Sequence, residues 1–314
     1  MGELIAKNKS LRNEAAKYSS ELGRATNFEF GDHDSNNINQ LLNDIKQLKN
    51  DLEYFCTLRK SYTEINEESM KMLAKQYGCS SEFSVKTFNR NLFQGLLQRH
   101  IIEFILNSAE EYLKFEEGDD SEHFEAKIIS AETKLHYCAN SISKYRVGTD
   151  KVSSAIPTKL RQSVYILLSN RGFSQINHMD KVEHPFIANL TKKIINKMNN
   201  IRTMKDSVKN KEIESMTTEI IRRIIVIFLF RFKVQEPAVQ SHWFQCGNKI
   251  EPEFMDVPLS DEDLKNASVD ACSFPLIATN LDKKDYKVIL KASIVKANVV
   301  KEAYSSGGSY GVYT

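Results

Sequence analysis

Apolar residues between positions 38 and 62 recur in alternating steps of three and four. They are Ile38, Leu41, Ile45, Leu48, Leu52, Phe55 and Tyr62, with Arg59 in the one charged position of the series. A straight helix drifts off a 3.5-residue repeat, so only a seam between two helices requires such strict spacing. The pattern therefore predicts a coiled coil, either within one chain or between two chains. The alternative is a long amphipathic helix that lies on its own domain.

The segment before this helix carries a shorter form of the same repeat. Its members are Leu4, Leu11, Ala15, Tyr18 and Leu22. Polar residues and a glycine at 27–37 interrupt the pattern, and the main helix is expected to continue to about Tyr77, where Gly78 can end it. Residues 1–77 are thus predicted to form a coiled-coil region in which the first segment could fold back on the second.

The middle of the chain, residues 84–235, is predicted to be a helical bundle. Its apolar residues keep helical spacing, and Pro157 and Pro185 each stand where a helix can begin. The last helix, from about Lys211 to Val234, is apolar nearly all round, so it should be buried. Another helix, from about Ser121 to Tyr145, has six apolar or small residues on one face: Phe124, Ile128, Ala131, Leu135, Cys138 and Ile142.

The texture changes after Pro237, where prolines become frequent and long helices should stop. Alternating apolar and polar residues at 286–294 predict a half-buried strand, with 272–278 as its partner and 280–285 as the turn. The whole chain is therefore predicted to be mostly α. It would have an N-terminal coiled coil, a helical bundle body, a small mixed unit with a C-terminal β-hairpin at 236–300, and a flexible Gly- and Ser-rich tail at 301–314.

Composition bounds the compartment and the partners. The 314 residues include five scattered cysteines, a pattern that is typical of a protein in a reducing compartment. The formal net charge is only +2, which excludes nucleic-acid binding by the bulk charge of the chain. The start of the chain lacks the apolar segment of a signal peptide. The most apolar run, Ile220–Phe232, is interrupted by three arginines and is shorter than the ~20 residues of a membrane span. A cytoplasmic protein is predicted.

No recognisable reaction motif is present. The sequence lacks the glycine-rich phosphate loops and the Gly-x-Ser-x-Gly turn of common enzymes. His242 and Cys246 are four residues apart and could share a helix face, but no second pair of metal ligands lies nearby in the sequence. Cys246 precedes Gly247 without an evident activating partner. We therefore predict no catalytic residue, no cofactor, no metal and no small-molecule substrate.

One basic region could bind anions. Between Lys192 and Lys233 there are eleven cations and four acids, a net of +7, and Lys192, Lys193 and Lys197 lie on the outward face of one predicted helix. Such a surface could hold anionic lipid heads or RNA. The favoured alternative is a basic face that meets acidic stretches of the same chain, at Glu110–Glu122 or Asp261–Asp263.

The segment from Arg231 to Asp256 carries a further pattern. An acidic residue and a proline precede an aromatic–Gln pair, and a glycine, an aromatic and a Met–acid pair follow: Glu236, Pro237, Phe244, Gln245, Gly247, Phe254, Met255 and Asp256. This stretch resembles the C-terminal part of the plant "gravitropic in the light" and receptor-kinase-interacting protein family. The later strand pair, around Phe274–Leu276 and Val288–Val295, and the coiled-coil start are similar in layout, so that the resemblance covers about a quarter of the chain. It implies a cytoplasmic adaptor without enzymatic activity and supplies no functional residues.

These observations together predict a non-enzymatic scaffold or adaptor protein. It would bind protein partners, or a second copy of itself, through the coiled coil. Two alternatives stay open, which are a peripheral binder of anionic membrane or RNA and an enzyme with an unrecognised site.

Overall fold

The computed structural model describes residues 6–11, 36–61, 63–79, 89–114, 123–148, 153–176, 182–257 and 267–297. Its helices are α1 (Ile38–Phe55), α2 (Glu67–Gln76), α3 (Arg90–Tyr112), α4 (Phe124–Tyr145), α5 (Ile156–Arg171), α6 (Pro185–Ile201), α7 (Ser207–Ile225) and α8 (Phe232–Val234). A 3₁₀ turn, Ser153–Ala155, leads into α5, and a π-helical turn, Val226–Arg231, connects α7 to α8. Its strands are β1 (Thr63–Ile65), β2 (Arg202–Met204), β3 (Val239–His242), β4 (Met255–Asp256), β5 (Val269–Phe274), β6 (Leu276–Thr279), β7 (Lys287–Leu290) and β8 (Ala292–Lys296).

Short polar side chains start four of the helices. Asn37, Asn66, Asn89 and Asp206 precede α1, α2, α3 and α7, and each accepts a hydrogen bond from a backbone N–H of the first turn. These bonds satisfy donors that have no partner within a helix. A proline near the start of α5 and of α6 follows the same logic, since it lacks an N–H that would be unpaired there.

The apolar face of α1 is buried inside the protein. Leu41, Ile45 and Leu48 have no exposed surface, and α1 packs against α3, α7 and the π-helical turn. Those neighbours contribute residues such as Ile224 and Phe230 to the same buried cluster. The hydrophobic effect that drives this burial is strong, at ~1.5–3 kcal/mol for each large apolar side chain.

The predicted coiled coil is wrong, since none is found among the described residues. Helix α1 ends at Phe55 rather than near Tyr77, and the β-branched Thr63 and Ile65 lie in β1, which pairs antiparallel with β2. The buried guanidinium of Arg202 donates to the carbonyls of Phe55 and Thr57, so the end of α1 is closed by a side chain. The three–four spacing marks an amphipathic helix on its own domain. Tyr62, most of the expected companion segment Leu4–Leu22 and the expected tail at 301–314 lie outside the described residues.

The mostly α assignment is also wrong, because the protein is a mixed α/β fold. Besides the β1–β2 pair, it has two three-stranded sheets with the orders β3–β6–β7 and β4–β8–β5. The expected hairpin is split between them. Strands β6 and β7 pair antiparallel across residues 280–286, whereas β5 pairs antiparallel with β8 in the other sheet. The chain changes sheet at Pro275, which lacks the N–H that a continuous strand would use.

The sheets rest on the helices through close contacts. Helix α3 packs against β5, and the missing side chain of Gly95 leaves room for this close approach: a Cβ there would lie 3.2 Å from Cβ of Ser273 on β5 and 3.3 Å from Cγ2 of Val295 on β8. A second apolar cluster, which includes Ile250, Met255 and Val269, lies within the β-rich part. The main cluster contains Leu48, Leu96, Phe230 and Phe274, so segments far apart in sequence share one core. No described helix is both long enough and apolar enough to cross a membrane.

Candidate functional site

Helix α4 turns a row of apolar side chains toward solvent. Phe124, Leu135, Ile142 and Tyr145 are 65%, 54%, 62% and 82% exposed. We define the α4 face as these four residues with Ala131 and Cys138, which are also exposed, and Ile128, which is half-buried. Successive members are three or four residues apart over three heptads, so they form one continuous stripe.

The side of α4 next to the stripe packs against the rest of the protein. A carboxylate oxygen of the buried Glu125 accepts a hydrogen bond of 2.8 Å from the backbone N–H of Phe173. Farther along, the Ser143 hydroxyl donates to the Ser153 carbonyl at 3.1 Å, and α4 packs along α5. The helix is therefore anchored along its length, and its apolar stripe is exposed in the folded protein.

The charges of α4 are divided between its two sides. Its two acids, Glu125 and Glu132, are buried, at 9% and 7% exposed. Lys127 and Lys134 each precede a member of the α4 face, so they line one edge of the stripe at positions that flank the seam of a coiled coil. Among the charged residues that α4 itself contributes, those beside the stripe that reach solvent are therefore basic.

The arginines counted in the basic region are bound within the protein. Arg222, Arg223 and Arg231 pair with Glu183, Asp51 and Asp44, the last pair at 2.6 Å. Arg202 lies in the interior at the end of α1. These acids lie elsewhere than the two acidic stretches expected from the sequence; residues 115–122 and 261–263 of those stretches are outside the described residues.

The three lysines singled out on α6 have different surroundings. Lys192 and Lys193 are exposed, whereas Lys197 is half-buried and lies over the ring of Phe104, with Nζ 4.7 Å from the ring centroid. A cation held over an aromatic face is partly committed to that contact. Binding of anionic lipid or RNA through these lysines stays a prediction.

A second candidate site lies where the helices meet the sheets. Cys79 follows α2, Cys246 lies in the turn after β3, and Asp270 lies on β5. The two sulfur atoms and a carboxylate oxygen of Asp270 all lie within 4.8 Å of one another. The Cys79 thiol donates to the backbone carbonyl of Asp270 at 3.2 Å. Both cysteines are half-buried and Asp270 is 3% exposed, so the group is partly shielded from water.

Charged and aromatic groups surround these ligands. The buried Arg99 forms an ion pair with Glu103 at 2.8 Å and donates to the Phe244 carbonyl at 2.9 Å. Its guanidinium carbon lies 4.9 Å from the ring centroid of Tyr77 and 5.0 Å from that of Trp243. Arg99 therefore joins α3 to the segment that carries Cys246.

The electrostatics of this site disfavour the ionised form of the Cys79 thiol. Burial, together with the neighbouring Cys246 thiol and the Asp270 carboxylate, raises the pKa of Cys79 to about 12, although Arg99 opposes the rise. Cys79 is therefore protonated at neutral pH unless a cation compensates the negative charge. A protonated thiol is a poor nucleophile, so the arrangement does not favour covalent catalysis.

The sequence pattern did not indicate this group of ligands. The sequence spacing places His242 near Cys246, but in the fold the ring centroid of His242 lies 5.0 Å from that of Phe244. Cys79 and Asp270 are separated by 191 positions, and no short motif spaces them. For α4 the signal was present as a helical row of apolar residues, but the sequence does not say which helix faces stay uncovered.

Comparisons with protein-family models, with curated proteins and with solved structures find no match for this chain.

Proposed function

We propose that this protein is a non-enzymatic interaction module that docks an amphipathic helix of a partner protein on the α4 face. The observation that carries the proposal is a three-heptad apolar stripe left exposed on a firmly anchored helix. Exposed apolar stripes of this kind mark binding sites, because water contact with large apolar side chains is unfavourable. A second helix with the same spacing would cover the stripe side by side.

The charges beside the stripe select the partner. Lys127 and Lys134 line its edge, and the two acids of α4 are turned into the protein. A second copy of α4 would bring its lysines against the same lysines, because the acids of α4, Glu125 and Glu132, are buried. We therefore infer a different protein as partner, with a helix that carries glutamate or aspartate beside its apolar seam. An adaptor role agrees with the resemblance of the 231–256 segment.

A binding assay with designed peptides tests this proposal. Two labelled three-heptad helical peptides would share a leucine seam at three–four spacing but carry glutamate or lysine at the flanking positions. Fluorescence anisotropy with the full chain should show binding of the glutamate peptide, weaker binding at high salt, and little binding of the lysine peptide. Leu135→Glu should lower the affinity at least about tenfold, equivalent to 1.4 kcal/mol.

Two further variants complete the design. Lys127→Glu should weaken binding of the glutamate peptide and strengthen binding of the lysine peptide, because it reverses a charge beside the stripe. Met72→Glu is the matched control, since Met72 is 66% exposed on α2, and it should bind like the wild type. Equal affinity for both peptides would refute the acidic partner. A concentration-dependent dimer, detected by light scattering and lost in Leu135→Glu, would also refute the acidic partner and would instead indicate self-association through the α4 face.

A further inference from the structure

We propose that Cys79, Cys246 and Asp270 bind one zinc ion at the junction of the helices and the sheets. This site is separate from the α4 face, and neither proposal depends on the other. The claim begins with geometry: all three ligand atoms lie within 4.8 Å of one another. Two sulfurs on a tetrahedral zinc at ~2.3 Å are ~3.8 Å apart. One ion could therefore contact all three after side-chain movements of about an ångström or less.

The donor set selects the metal. Two thiolate sulfurs and one carboxylate oxygen suit a borderline-soft divalent ion such as Zn²⁺. Mg²⁺ and Ca²⁺ prefer sites made wholly of oxygen ligands. Three protein ligands leave a fourth tetrahedral position for water, and the half-buried cysteines allow solvent to reach it.

Charge balance also favours a divalent ion. Two thiolates beside a carboxylate would place three negative charges in a partly shielded site, where a bound cation compensates them. On binding, each thiol releases its proton to solvent and a zinc–sulfur bond replaces the S–H bond. The divalent ion then compensates two of the three negative charges.

The site would join three segments that are distant in sequence. Cys79 follows α2, Cys246 follows β3, and Asp270 lies on β5 beside α3. Arg99 already bridges α3 to the backbone of Phe244, two residues before Cys246, so the ligands rest on a fixed frame. Zinc would therefore stabilise the attachment of the β-rich part to the helices.

Cobalt binding to the reduced full chain tests the proposal. Co²⁺ should bind at one per chain with thiolate-to-cobalt charge-transfer absorption and the visible bands of a tetrahedral site, and Zn²⁺ should displace it. Cys246→Ser should lower the affinity at least about tenfold. Cys138→Ser is the matched control, because Cys138 is exposed on α4, and it should bind like the wild type. A wild-type protein without thiolate absorption overturns the proposal, as does unchanged binding in Cys246→Ser.

A measurement without substitutions guards against a variant that misfolds. Zn²⁺ should protect Cys79 and Cys246 of the wild-type protein from alkylation by iodoacetamide, while Cys138 reacts at the same rate with or without metal. Zn²⁺ should also raise the Tm, because a ligand that binds only the folded state stabilises it. Alkylation of Cys79 and Cys246 at rates that zinc does not change would overturn the proposal.

Discussion

Replacing Leu48 by alanine separates the observed fold from the coiled coil that its spacing suggested. Leu48 has no exposed surface and lies in the main core cluster between α1, α3 and α7. The change removes three carbon atoms, which is ~2.4 kcal/mol of transfer free energy at ~0.8 kcal/mol each. The cavity left in a well-packed core adds to this, so the free energy of unfolding should fall by about 3–5 kcal/mol.

The matched change is Leu135→Ala on the α4 face. Leu135 is 54% exposed, so its removal should lower the free energy of unfolding by less than ~1 kcal/mol. Urea denaturation followed by circular dichroism measures both variants against the wild type, and light scattering of the same samples gives their mass in solution. The reasoning fails if Leu48→Ala keeps the wild-type denaturation midpoint but changes a dimer into a monomer, because Leu48 would then contact a second chain.

Two further substitutions test local features of the fold. Gly172→Ala should lower the free energy of unfolding by about 1–3 kcal/mol, because the new Cβ would lie 2.6 Å from the Leu168 carbonyl oxygen and 3.0 Å from the Phe230 ring. Gly148→Ala is its control, since a Cβ at position 148 would have no atom within 4 Å apart from its chain neighbours. An equal loss of unfolding free energy in both variants would contradict the steric explanation. His100 gives a pH dependence. Burial and, to a smaller extent, repulsion from Lys197 lower the pKa of His100 to about 4, although attraction to Glu103 partly opposes this shift. The native state therefore prefers the neutral ring. The contribution of His100 to stability is fully present above pH 6.5 and is lost as the pH falls from 6.5 through 4. Partial exposure of the ring limits the loss to about 1–2 kcal/mol. Nδ1 of His100 also lies 3.3 Å from the Tyr77 hydroxyl. His100→Gln should reduce the change in the denaturation midpoint between pH 7 and pH 4. An unchanged slope in that variant would assign the pH dependence to other groups.

The periodicity of α1 predicted a helix and its inward face, but not the partner of that face. Leu41, Ile45 and Leu48 would be spaced identically in a coiled coil and in a helix packed on its own domain. The deciding information lies in the end of α7 and in the π-helical turn, where most residues from Ile220 to Phe230 are buried and therefore need neighbours on several sides. Only the three-dimensional fold shows that α1 is one of those neighbours.

The β-rich part shows a different limit of sequence patterns. Alternation at 286–294 indicated extended chain, and the structure has extended chain there. Alternation does not tell which strand pairs with which, and here the two halves of the stretch join different sheets on either side of Lys291. Likewise, the spacing of residues in the sequence does not predict that Cys79 lies beside Cys246 and Asp270, because that arrangement depends on how the helices, including α3, pack against β5.

The burial of α1 by α7 has a consequence for synthesis of the protein. Asp44 on α1 accepts a hydrogen bond from Arg231, which is 187 positions later in the chain. At ~5–20 residues per second, roughly ten to forty seconds pass between the emergence of the two from a ribosome. During that interval Leu41, Ile45 and Leu48 lack their final cover, and the nascent chain presents the very stripe that a neighbouring nascent chain could pair with. Translation speed and chaperone supply should therefore affect the yield of folded protein.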